Sequence, residues 1–305
     1  MLPPPDWRPH APLEPLHLDW LARAGVEVAV LRLDLIDPLI SGNKWFKLTE
    51  HIAAARQVNA TGLISLGGAH SNHLHALAAA GKRLGFATVG LLRGHPVETP
   101  TVLDLQAFGM ELHWLGYEGY RKRHAPDFWT TWRSRYPHLH GVPEGGGGLA
   151  GARGCTVLPA MVEAQLPRLG WDDFHGWWLA AGTGTTAAGL VLAEAGRRGV
   201  HAALAVPADH GVAPSMTKIL DEAGVADSGY ELVDACRGGF ARVDPHLQAF
   251  VAESERQGGV PLECLYTGKA LLALREQVEA ARFAAGTRLV FVHTGGLQGR
   301  RGLIL

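Results

Sequence analysis

Two lysines three residues apart follow a short polar turn near the start of the chain. Lys44 and Lys47 belong to the run Ser-Gly-Asn-Lys-Trp-Phe-Lys-Leu at residues 41–48, where the sequence predicts a turn and then a helix beginning at Lys44. A lysine that attacks an aldehyde must be neutral. Burial near a helix N-terminus lowers its pKa, because desolvation and the helix dipole both disfavour the ammonium. Lys44 is therefore a candidate Schiff-base lysine, although a solvated helix-start lysine is the more common case.

A second polar cluster, at residues 65–73, ends an apolar run with two glycines and continues into an Ala-rich segment. The predicted strand, turn and helix start place Ser71, Asn72 and His73 where free helix N–H groups suit a substrate carboxylate. An ordinary N-cap serine is the alternative. The three histidines of residues 70–75 suggest a metal site. No carboxylate or cysteine completes such a site, so no metal is expected.

A third cluster of glycine and threonine lies between a predicted strand and a predicted helix at residues 180–189. It is not a Walker loop, because no lysine follows the glycines, and Ala187 stands where a dinucleotide-binding loop needs its third glycine. Backbone N–H groups, hydroxyls and the helix dipole together suit one phosphate, so a monophosphate cofactor fits better. A tight turn without a ligand is the alternative. The loop residues are Gly182, Thr183, Gly184, Thr185 and Thr186.

The three clusters follow short apolar runs that alternate with Ala- and Leu-rich helical stretches. This alternation predicts an α/β fold with parallel-type sheets covered by helices, in which ligands bind at the carboxyl ends of the strands. The glycine-rich residues 144–154 are predicted to be a loop or hinge rather than a helix, with a domain boundary just before them. We predict strands at residues 26–33, 63–66, 88–93, 112–115, 174–181, 202–206 and 288–293, and helices at 71–84, 187–198, 214–223 and 269–284.

Composition limits the classes of partner. The 305 residues suffice for one large α/β domain or two smaller ones. A net charge of −1 argues against nucleic acid, and no apolar run reaches the roughly 18 residues that span a bilayer. Three widely spaced cysteines predict no disulfide framework, and residues 1–20 lack the apolar core of a signal peptide. We therefore expect a cytoplasmic protein with a small uncharged or zwitterionic ligand.

Two weaker motifs complete the set: Tyr-Thr-Gly-Lys at residues 266–269 and His-Thr-Gly-Gly at residues 293–296. In this order the five motifs resemble the 1-aminocyclopropane-1-carboxylate (ACC) deaminase and D-cysteine desulfhydrase family, from about Asp34 to Leu297. The resemblance implies an enzyme of amino acid metabolism that uses pyridoxal 5′-phosphate (PLP). It also implies the tryptophan-synthase-β type of fold, fold-type II, and a homodimer.

The same resemblance implies how the chain is divided and how it holds the cofactor. The larger PLP-binding domain would comprise residues 1–45 and 144–305, and a smaller α/β domain would be inserted at residues 46–143. Lys44, rather than Lys47, would hold PLP as a Schiff base. Asn72 would contact the 3′-oxygen of the cofactor, Thr294 would face its pyridine nitrogen, and its phosphate would be bound by Gly182, Thr183, Gly184, Thr185 and Thr186.

The implied substrate contacts lie in the second and fourth motifs. Ser71 would meet the substrate carboxylate and act as a nucleophile or proton relay. His73 stands at the carboxylate end, where ACC deaminases have Gln. The Lys44 amine is the default base for the α-proton, and Tyr266 or Ser71 could take part for a D-amino acid. The implied substrate-binding residues are Ser71, Asn72, His73, Tyr266 and Thr267, and the catalytic residues are Lys44, Ser71 and Tyr266.

Two departures from the ACC deaminases favour a particular substrate. Those enzymes have Glu where this chain has Thr267, and they tend to have Leu in place of Thr294, whereas desulfhydrase-type members have Thr at both positions. A Gly-Pro-x-Tyr-Gly stretch is also absent around residues 238–242. A neutral hydroxyl at the pyridine nitrogen leaves PLP a weaker electron sink, which suits β-elimination with a good leaving group. We therefore predict α,β-elimination of D-cysteine to pyruvate, sulfide and ammonia.

Other functions remain open on the sequence. The alternatives within the same fold are an ACC deaminase and a racemase or lyase for another small amino acid. A PLP-binding carrier or regulator is disfavoured by the intact Lys44, Ser71 and Tyr266. A nucleotide-binding oxidoreductase is disfavoured by the missing third glycine at Ala187.

Overall fold

Two sheets form the framework of the protein, whose computed structural model describes residues 9–302. The strands in chain order are β1 (Leu13–Pro15), β2 (Glu27–Arg32), β3 (Gly62–Gly67), β4 (Ala87–Leu92), β5 (Glu111–Trp114), β6 (Leu139–Gly141), β7 (Gly176–Ala181), β8 (Gly199–Leu204), β9 (Tyr230–Asp234) and β10 (Arg288–His293). The helices are α1 (Asp19–Ala24), α2 (Lys44–Gln57), α3 (Asn72–Leu84), α4 (Pro100–Ala107), α5 (Gly116–Arg121), α6 (Phe128–Arg135), α7 (Gly148–Gly154), α8 (Leu158–Glu163), α9 (Thr185–Glu194), α10 (Val212–Ala223), α11 (Pro245–Gly258) and α12 (Thr267–Glu279).

The strand order separates the chain into two parts. The larger sheet has the order β1-β2-β10-β7-β8-β9 and the smaller sheet the order β5-β4-β3-β6. Among these strands β1 alone runs antiparallel to its neighbour. The smaller sheet uses residues 62–141 only, whereas the larger one is built from both ends of the chain. The predicted α/β fold with parallel sheets is therefore confirmed, while the domain limits at residues 46 and 143 stay a prediction.

The larger sheet is buried on both faces, as parallel sheets require. Along β7 the side chain of Trp177 enters the core that contains α2, α3 and α9, and its neighbour Trp178 enters the core beneath α11 and α12. Each indole N–H has a buried acceptor, Glu194 Oε1 at 2.8 Å and the Ala270 carbonyl oxygen at 2.7 Å respectively. This double burial explains why the central strands read as continuous apolar runs in the sequence.

The prediction of a loop or hinge at the glycine-rich residues 144–154 is wrong. Residues 144–154 were expected to be a loop, yet they form a short 3₁₀ turn at Glu144–Gly146 followed by α7. A Cβ at Gly151 would lie 1.9 Å from the Gly146 carbonyl oxygen, and one at Gly154 would lie 1.9 Å from that of Phe46. These glycines therefore allow backbone to pack on backbone, and helix propensity is outweighed by tertiary contact.

Smaller differences concern element ends. The helix expected at residues 187–198 is α9, which begins earlier and ends at Glu194, where the next residue, Ala195, has a φ of 48°. The helix expected at 269–284 is α12, which begins at Thr267 and ends at Glu279, and the strand expected at 202–206 is β8. The expectations for residues 1–8 and 303–305 lie outside the described residues. In the described part of the chain the three cysteines are buried free thiols, and no helix has the length and apolar character needed to cross a membrane.

The packing of α7 gives a test by substitution. We expect Gly154→Ala to lower the free energy of unfolding by about 1–3 kcal/mol or more, because the added methyl group overlaps the Phe46 carbonyl oxygen. The measurement is urea unfolding followed by circular dichroism, with an unchanged slope in denaturant. The matched control is Gly119→Ala in α5, where the added Cβ meets only Leu115 Cβ at 3.4 Å. Equal changes in the free energy of unfolding for Gly154→Ala and Gly119→Ala would contradict the close packing of α7 on α2.

Candidate active site

The turn before α2 fixes Lys44 against the ends of two strands. Gly42 has a φ of 81°, and a Cβ there would lie 2.2 Å from the Thr294 carbonyl oxygen, so glycine is needed for conformation and for space. The Gly42 N–H donates to the Leu33 carbonyl at 2.8 Å, and the Asn43 N–H donates to the Thr294 carbonyl at 3.2 Å. Helix α2 then begins directly at Lys44. The predicted cofactor lysine thus lies at the carboxyl ends of β2 and β10.

Lys44 and Lys47 form a close pair of amines on the first turn of α2. Lys47 is 2% exposed, and its Nζ donates to Thr183 Oγ1 at 3.2 Å. Burial is the main cause that lowers the pKa of both lysines, and a hydrogen bond joins them. The charge of Lys44 lowers the pKa of Lys47 further. Among the described groups that shift these two pKa values there is a thiol, Cys155, and no carboxylate.

The Gly/Thr loop lies against this pair, between β7 and α9. Gly184 has a φ of 72°, and no side chain caps the N-terminus of α9, which leaves its first N–H groups free for a ligand. Thr183 Oγ1 and Thr185 Oγ1 lie 3.0 Å apart. Thr186 is buried deeper, and its Oγ1 accepts a bond from Asn43 Nδ2 at 2.9 Å. The loop is therefore tied to the lysine turn by two side-chain hydrogen bonds.

Ser71 and Asn72 begin α3 on the other side of the site. Ser71 is the N-cap residue, and its Oγ accepts the Leu74 N–H at 3.2 Å, so the hydroxyl proton is free to be donated. Gln298 Nε2 donates to Asn72 Oδ1 at 3.0 Å. That bond leaves the Asn72 NH₂ group as the free end of the amide. A Cβ at Gly296 would lie 2.7 Å from Asn72 Nδ2, so the turn after Thr294 lies close to this amide.

Two histidines of α3 have different hydrogen-bond partners. His73 Nε2 lies 2.8 Å from Ser65 Oγ, whereas His75 Nε2 lies 3.1 Å from Asp104 Oδ2 on α4. Within residues 9–302 no group of three His, Cys, Asp or Glu side chains is arranged to hold a metal ion.

Tyr266 lies on the side of the site that the Gly/Thr loop forms. Its ring packs on Gly182, where an added Cβ would lie 2.9 Å from Tyr266 Cε1, and it meets the Phe240 ring at a centroid distance of 5.7 Å. Burial, and then the charge of Glu263, raise the pKa of Tyr266. The phenol therefore keeps its proton at neutral pH, and in the resting site it is a donor rather than a base.

Thr267 lies beneath Tyr266 and is fully buried. Its N–H donates to Glu263 Oε1 at 2.6 Å, and its hydroxyl is 3.1 Å from the same oxygen. Glu263 also accepts the N–H groups of Leu265 and Tyr266, so this carboxylate caps the start of α12. The predicted contact between Thr267 and a substrate would require one of these bonds to be exchanged.

Several contacts of the site went unrecognised in the sequence. Asn43, Lys47 and Ser65 lie inside the predicted motifs but were given no role there, and Glu263 lies outside the motifs. Their importance depends on contacts made across the fold. Lys269 is fully buried, and its Nζ donates to the carbonyl oxygens of Cys236 and Gly239 at 2.8 and 3.0 Å. It thereby holds the loop that carries Phe240. Its place in the Tyr-Thr-Gly-Lys motif was the only available signal for it.

Comparison with known proteins was made by sequence and by structure. No family model matches the chain. A Pyrococcus furiosus protein, provisionally named ACC deaminase, is 27% identical over 293 residues, which cover 90% of this chain and 86% of the relative. The Arabidopsis thaliana mitochondrial bifunctional D-cysteine desulfhydrase/ACC deaminase is 27% identical over 334 residues, covering 97% and 82% respectively.

A solved structure supports the same relation. The crystal structure of an ACC deaminase homologue superposes with a TM-score of 0.82 at 23% identity and covers 96% of this chain and 91% of that one. Over most of its length the chain is therefore similar to proteins named ACC deaminase and D-cysteine desulfhydrase. Its fold is that of the fold-type II PLP enzymes. The expected family, fold class and enzyme class, a lyase or deaminase, are therefore confirmed.

The site brings together most of the residues singled out in the sequence. The lysine turn contacts the Gly/Thr loop and the backbone of Thr294, the turn after Thr294 contacts Asn72, and Tyr266 packs on Gly182. The individual roles of these residues stay predictions. What the arrangement offers chemically is a pair of buried amines between a loop suited to an anion and a set of hydrogen-bond donors.

The buried lysines predict how stability depends on pH. The pKa values of Lys44 and Lys47 are lower in the folded protein than the ordinary value of 10.5, so the unfolded chain binds more protons. The free energy of unfolding should therefore rise as the pH rises toward 10.5, the ordinary pKa of lysine. Lys47→Met should reduce this slope, because the pair of amines that loses a proton on folding is gone.

The measurement is urea unfolding at several pH values in phosphate-free buffer. The matched control is Lys82→Met, at an exposed position, which should leave the slope as it is. Equal slopes for the parent protein and Lys47→Met would show that Lys47 takes no part in the loss of protons by the lysine pair on folding.

Proposed function

We propose that the protein is a PLP-dependent lyase that carries out α,β-elimination of a small β-substituted amino acid, with D-cysteine as substrate. The observation that carries the proposal is the placement of Lys44. A lysine whose pKa is lowered by burial begins a helix between a Gly/Thr loop at the N-terminus of α9 and the donors Ser71 and Asn72.

The residues present fit PLP by charge. Lys47 is a buried amine and Lys44 a partly buried one, and no carboxylate is among the described groups that act on their pKa values. Charged amines in such a place are costly unless an anion accompanies them. A phosphate at the free N–H groups of α9, beside Thr183 and within reach of Lys47, supplies that anion. Glycine at 145 and 182 lets Thr183 and Tyr266 pack against the backbone, where an added Cβ would lie 2.9 Å from each of these side chains.

The hydrogen-bond donors fit the rest of the cofactor and an amino acid. The free Asn72 NH₂ group suits an oxyanion on the cofactor ring, and the Ser71 hydroxyl suits a substrate carboxylate. PLP, when bound, supplies an electron sink for the bonds that break at the α-carbon. The chain supplies binding and orientation from both sides of the site.

Proton handling falls to Lys44. Its lowered pKa would make Nζ a nucleophile toward the aldehyde of the cofactor and a base toward the α-proton of the substrate. Tyr266, whose pKa is raised by burial, holds a proton at its hydroxyl and can donate it to a leaving group. Elimination from D-cysteine consumes one water and yields pyruvate, sulfide and ammonia.

The choice of D-cysteine over ACC depends on the electron sink. Glu263 is a carboxylate in contact with Tyr266 and Thr267, and its oxygens accept hydrogen bonds from three backbone N–H groups and the Thr267 hydroxyl. The Glu263 carboxylate is already hydrogen-bonded at the start of α12 and is therefore not free to keep a pyridine nitrogen protonated. A weaker sink favours a substrate with a good leaving group at the β-carbon. ACC deamination is the second candidate, because the names of the relatives include it.

We also infer a cytoplasmic homodimer with PLP between a larger domain (residues 1–45 and 144–305) and a smaller one (46–143). The support is the family resemblance and the separation of the two sheets along the chain. Gel filtration with light scattering tests the dimer.

The first test is release of 2-oxo acid from D-cysteine, L-cysteine, D-serine and ACC by the protein loaded with PLP. We expect turnover of D-cysteine with sulfide release, and a loss of at least about 10³-fold in Lys44→Ala, because both attachment and base are removed. Lys82→Ala, at the surface, is the matched control. Turnover of ACC alone would reject the argument from Glu263 and Thr294, and equal activity in Lys44→Ala would reject the cofactor lysine.

A second test concerns Asn72. In a Lys44→Ala background, which removes covalent attachment, Asn72→Ala should weaken PLP binding about tenfold, since a hydrogen bond to a charged oxygen contributes about 1.5 kcal/mol. Gln298→Ala should weaken it by only about two- to threefold, because it frees the amide to rotate without removing the donor. Fluorescence titration with PLP measures both. Unchanged affinity in Asn72→Ala would place the 3′-oxygen elsewhere.

A further inference from the structure

One ring nitrogen of His73 is buried without a partner. The side chain is 2% exposed, and its Nδ1 atom has no hydrogen-bond partner. Buried polar atoms in folded proteins are almost always paired, and exceptions cluster where a catalytic role or a ligand explains them. His73 lies beside the lysine pair, so its bare nitrogen belongs to the chemistry of that pair or of what binds there.

The Ser65 hydroxyl decides which ring nitrogen carries the proton. Ser65 Oγ lies 2.8 Å from the Val142 carbonyl oxygen, which can only accept, so the single hydroxyl proton is donated there. Ser65 Oγ must then accept from His73 Nε2, which lies 2.8 Å away. A neutral imidazole has one N–H, and therefore His73 Nδ1 is an acceptor with a free lone pair.

The surroundings of His73 keep the ring neutral. Burial lowers the pKa of His73 well below its ordinary value, and the charges of Lys44, Lys47 and His51 on α2 lower it further. From β3 the ring meets the Ser65 hydroxyl, and from the 144–146 turn it meets Gly146. No carboxylate is among the described groups that act on this pKa.

The stem of Lys47 occupies the same narrow space as the bare nitrogen. A Cβ at Gly146 would lie 3.0 Å from Lys47 Cβ and 3.6 Å from His73 Nδ1. The Lys47 ammonium has three N–H groups, one of which donates to Thr183 Oγ1 at 3.2 Å. The side chain of Lys47 therefore borders the space at His73 Nδ1, and the charge of Lys47 acts on the pKa of His73.

We propose that His73 is a positioning residue that accepts a hydrogen bond through Nδ1 from the Lys47 ammonium, so that Lys47 holds the proton of the lysine pair and Lys44 stays neutral. The chain of bonds then runs in one direction, from Lys47 through His73 and Ser65 to the Val142 carbonyl. An acceptor at Nδ1 repels a carboxylate, so this role replaces the substrate-carboxylate contact expected for His73. The inference rests on the proposed function for the statement that Lys44 is the reactive amine.

The first arm of the test needs neither PLP nor activity. Protein with ¹⁵N in its histidine rings should show, for His73, a pyrrole-type Nε2 and a pyridine-type Nδ1, unchanged from about pH 6 to about pH 8. The His73→Gln spectrum identifies the signal. Ser65→Ala should let the other tautomer appear, because the acceptor for Nε2–H is gone. A proton on Nδ1 in the parent protein would overturn the proposal.

The second arm compares two substitutions that each keep one half of the imidazole. In His73→Asn a side-chain oxygen stands close to the place of Nδ1, whereas His73→Gln reaches Ser65 but has no acceptor at that place. The readout is the pH midpoint of covalent PLP attachment to Lys44, followed by absorbance near about 410–420 nm. We expect His73→Gln to raise the midpoint by about one unit, equivalent to tenfold slower attachment at neutral pH, and His73→Asn to stay within about twofold.

The Lys47→Met background shows whether His73 acts through Lys47. There, His73→Gln should have no further effect on the midpoint, because the two changes remove the same interaction. Equal midpoints for His73→Asn and His73→Gln, or an undiminished effect of His73→Gln in Lys47→Met, would reject the proposal. If PLP does not attach to the parent protein at all, the proposed function fails, while the tautomer of His73 is still decided by the first arm.

Discussion

The close packing of α7 between α2 and α9 is the constraint on which the site depends. Gly154 lies against the Phe46 carbonyl, and Gly189 of α9 lies against the Ala152 carbonyl, with added Cβ atoms placed at 1.9 and 2.4 Å. Larger residues at these positions would push α2 and α9 apart. The distance of 3.2 Å between Lys47 Nζ and Thr183 Oγ1 spans those two elements. The glycines of the middle helix therefore determine how close the lysine pair comes to the anion-binding loop.

Electrostatics gives the site its chemical character. Amines and imidazoles gather on α2 and at the start of α3, and burial lowers the pKa values of Lys44, Lys47 and His73, while it lowers that of His51 to about 4. The oxygens of the nearby Glu263 carboxylate accept hydrogen bonds from backbone N–H groups. Burial in such a site favours the neutral form of amines and imidazoles. An anion that enters the site favours their protonated, charged form. Nucleophile activation and phosphate binding are thus two results of one arrangement.

The sequence predicted more of the site than of its surroundings. Motifs at strand ends predicted Lys44, the 182–186 loop, Ser71, Asn72 and Tyr266, because short-range patterns of glycine and polar residues mark the turns where parallel strands end. The contacts of Lys47 and Ser65 were not predicted, although both residues lie inside motifs, because their partners are distant in sequence: Thr183 is 136 residues from Lys47, and Val142 is 77 residues from Ser65. The glycine-rich residues 144–154 misled the prediction because glycine has a low helix propensity and tertiary packing outweighed it.

By itself the sequence determined the alternation of strands and helices, the α/β class and the family resemblance. These depend on periodicity and on motif order, which are local or additive along the chain. The tertiary structure alone decided that residues 148–154 are a helix, that Lys47 meets the loop, and which nitrogen of His73 carries a proton. Each of these depends on a single hydrogen bond or steric contact between distant segments. Such contacts leave no periodic trace in the sequence, because one partner fixes the state of the other only after both are buried together.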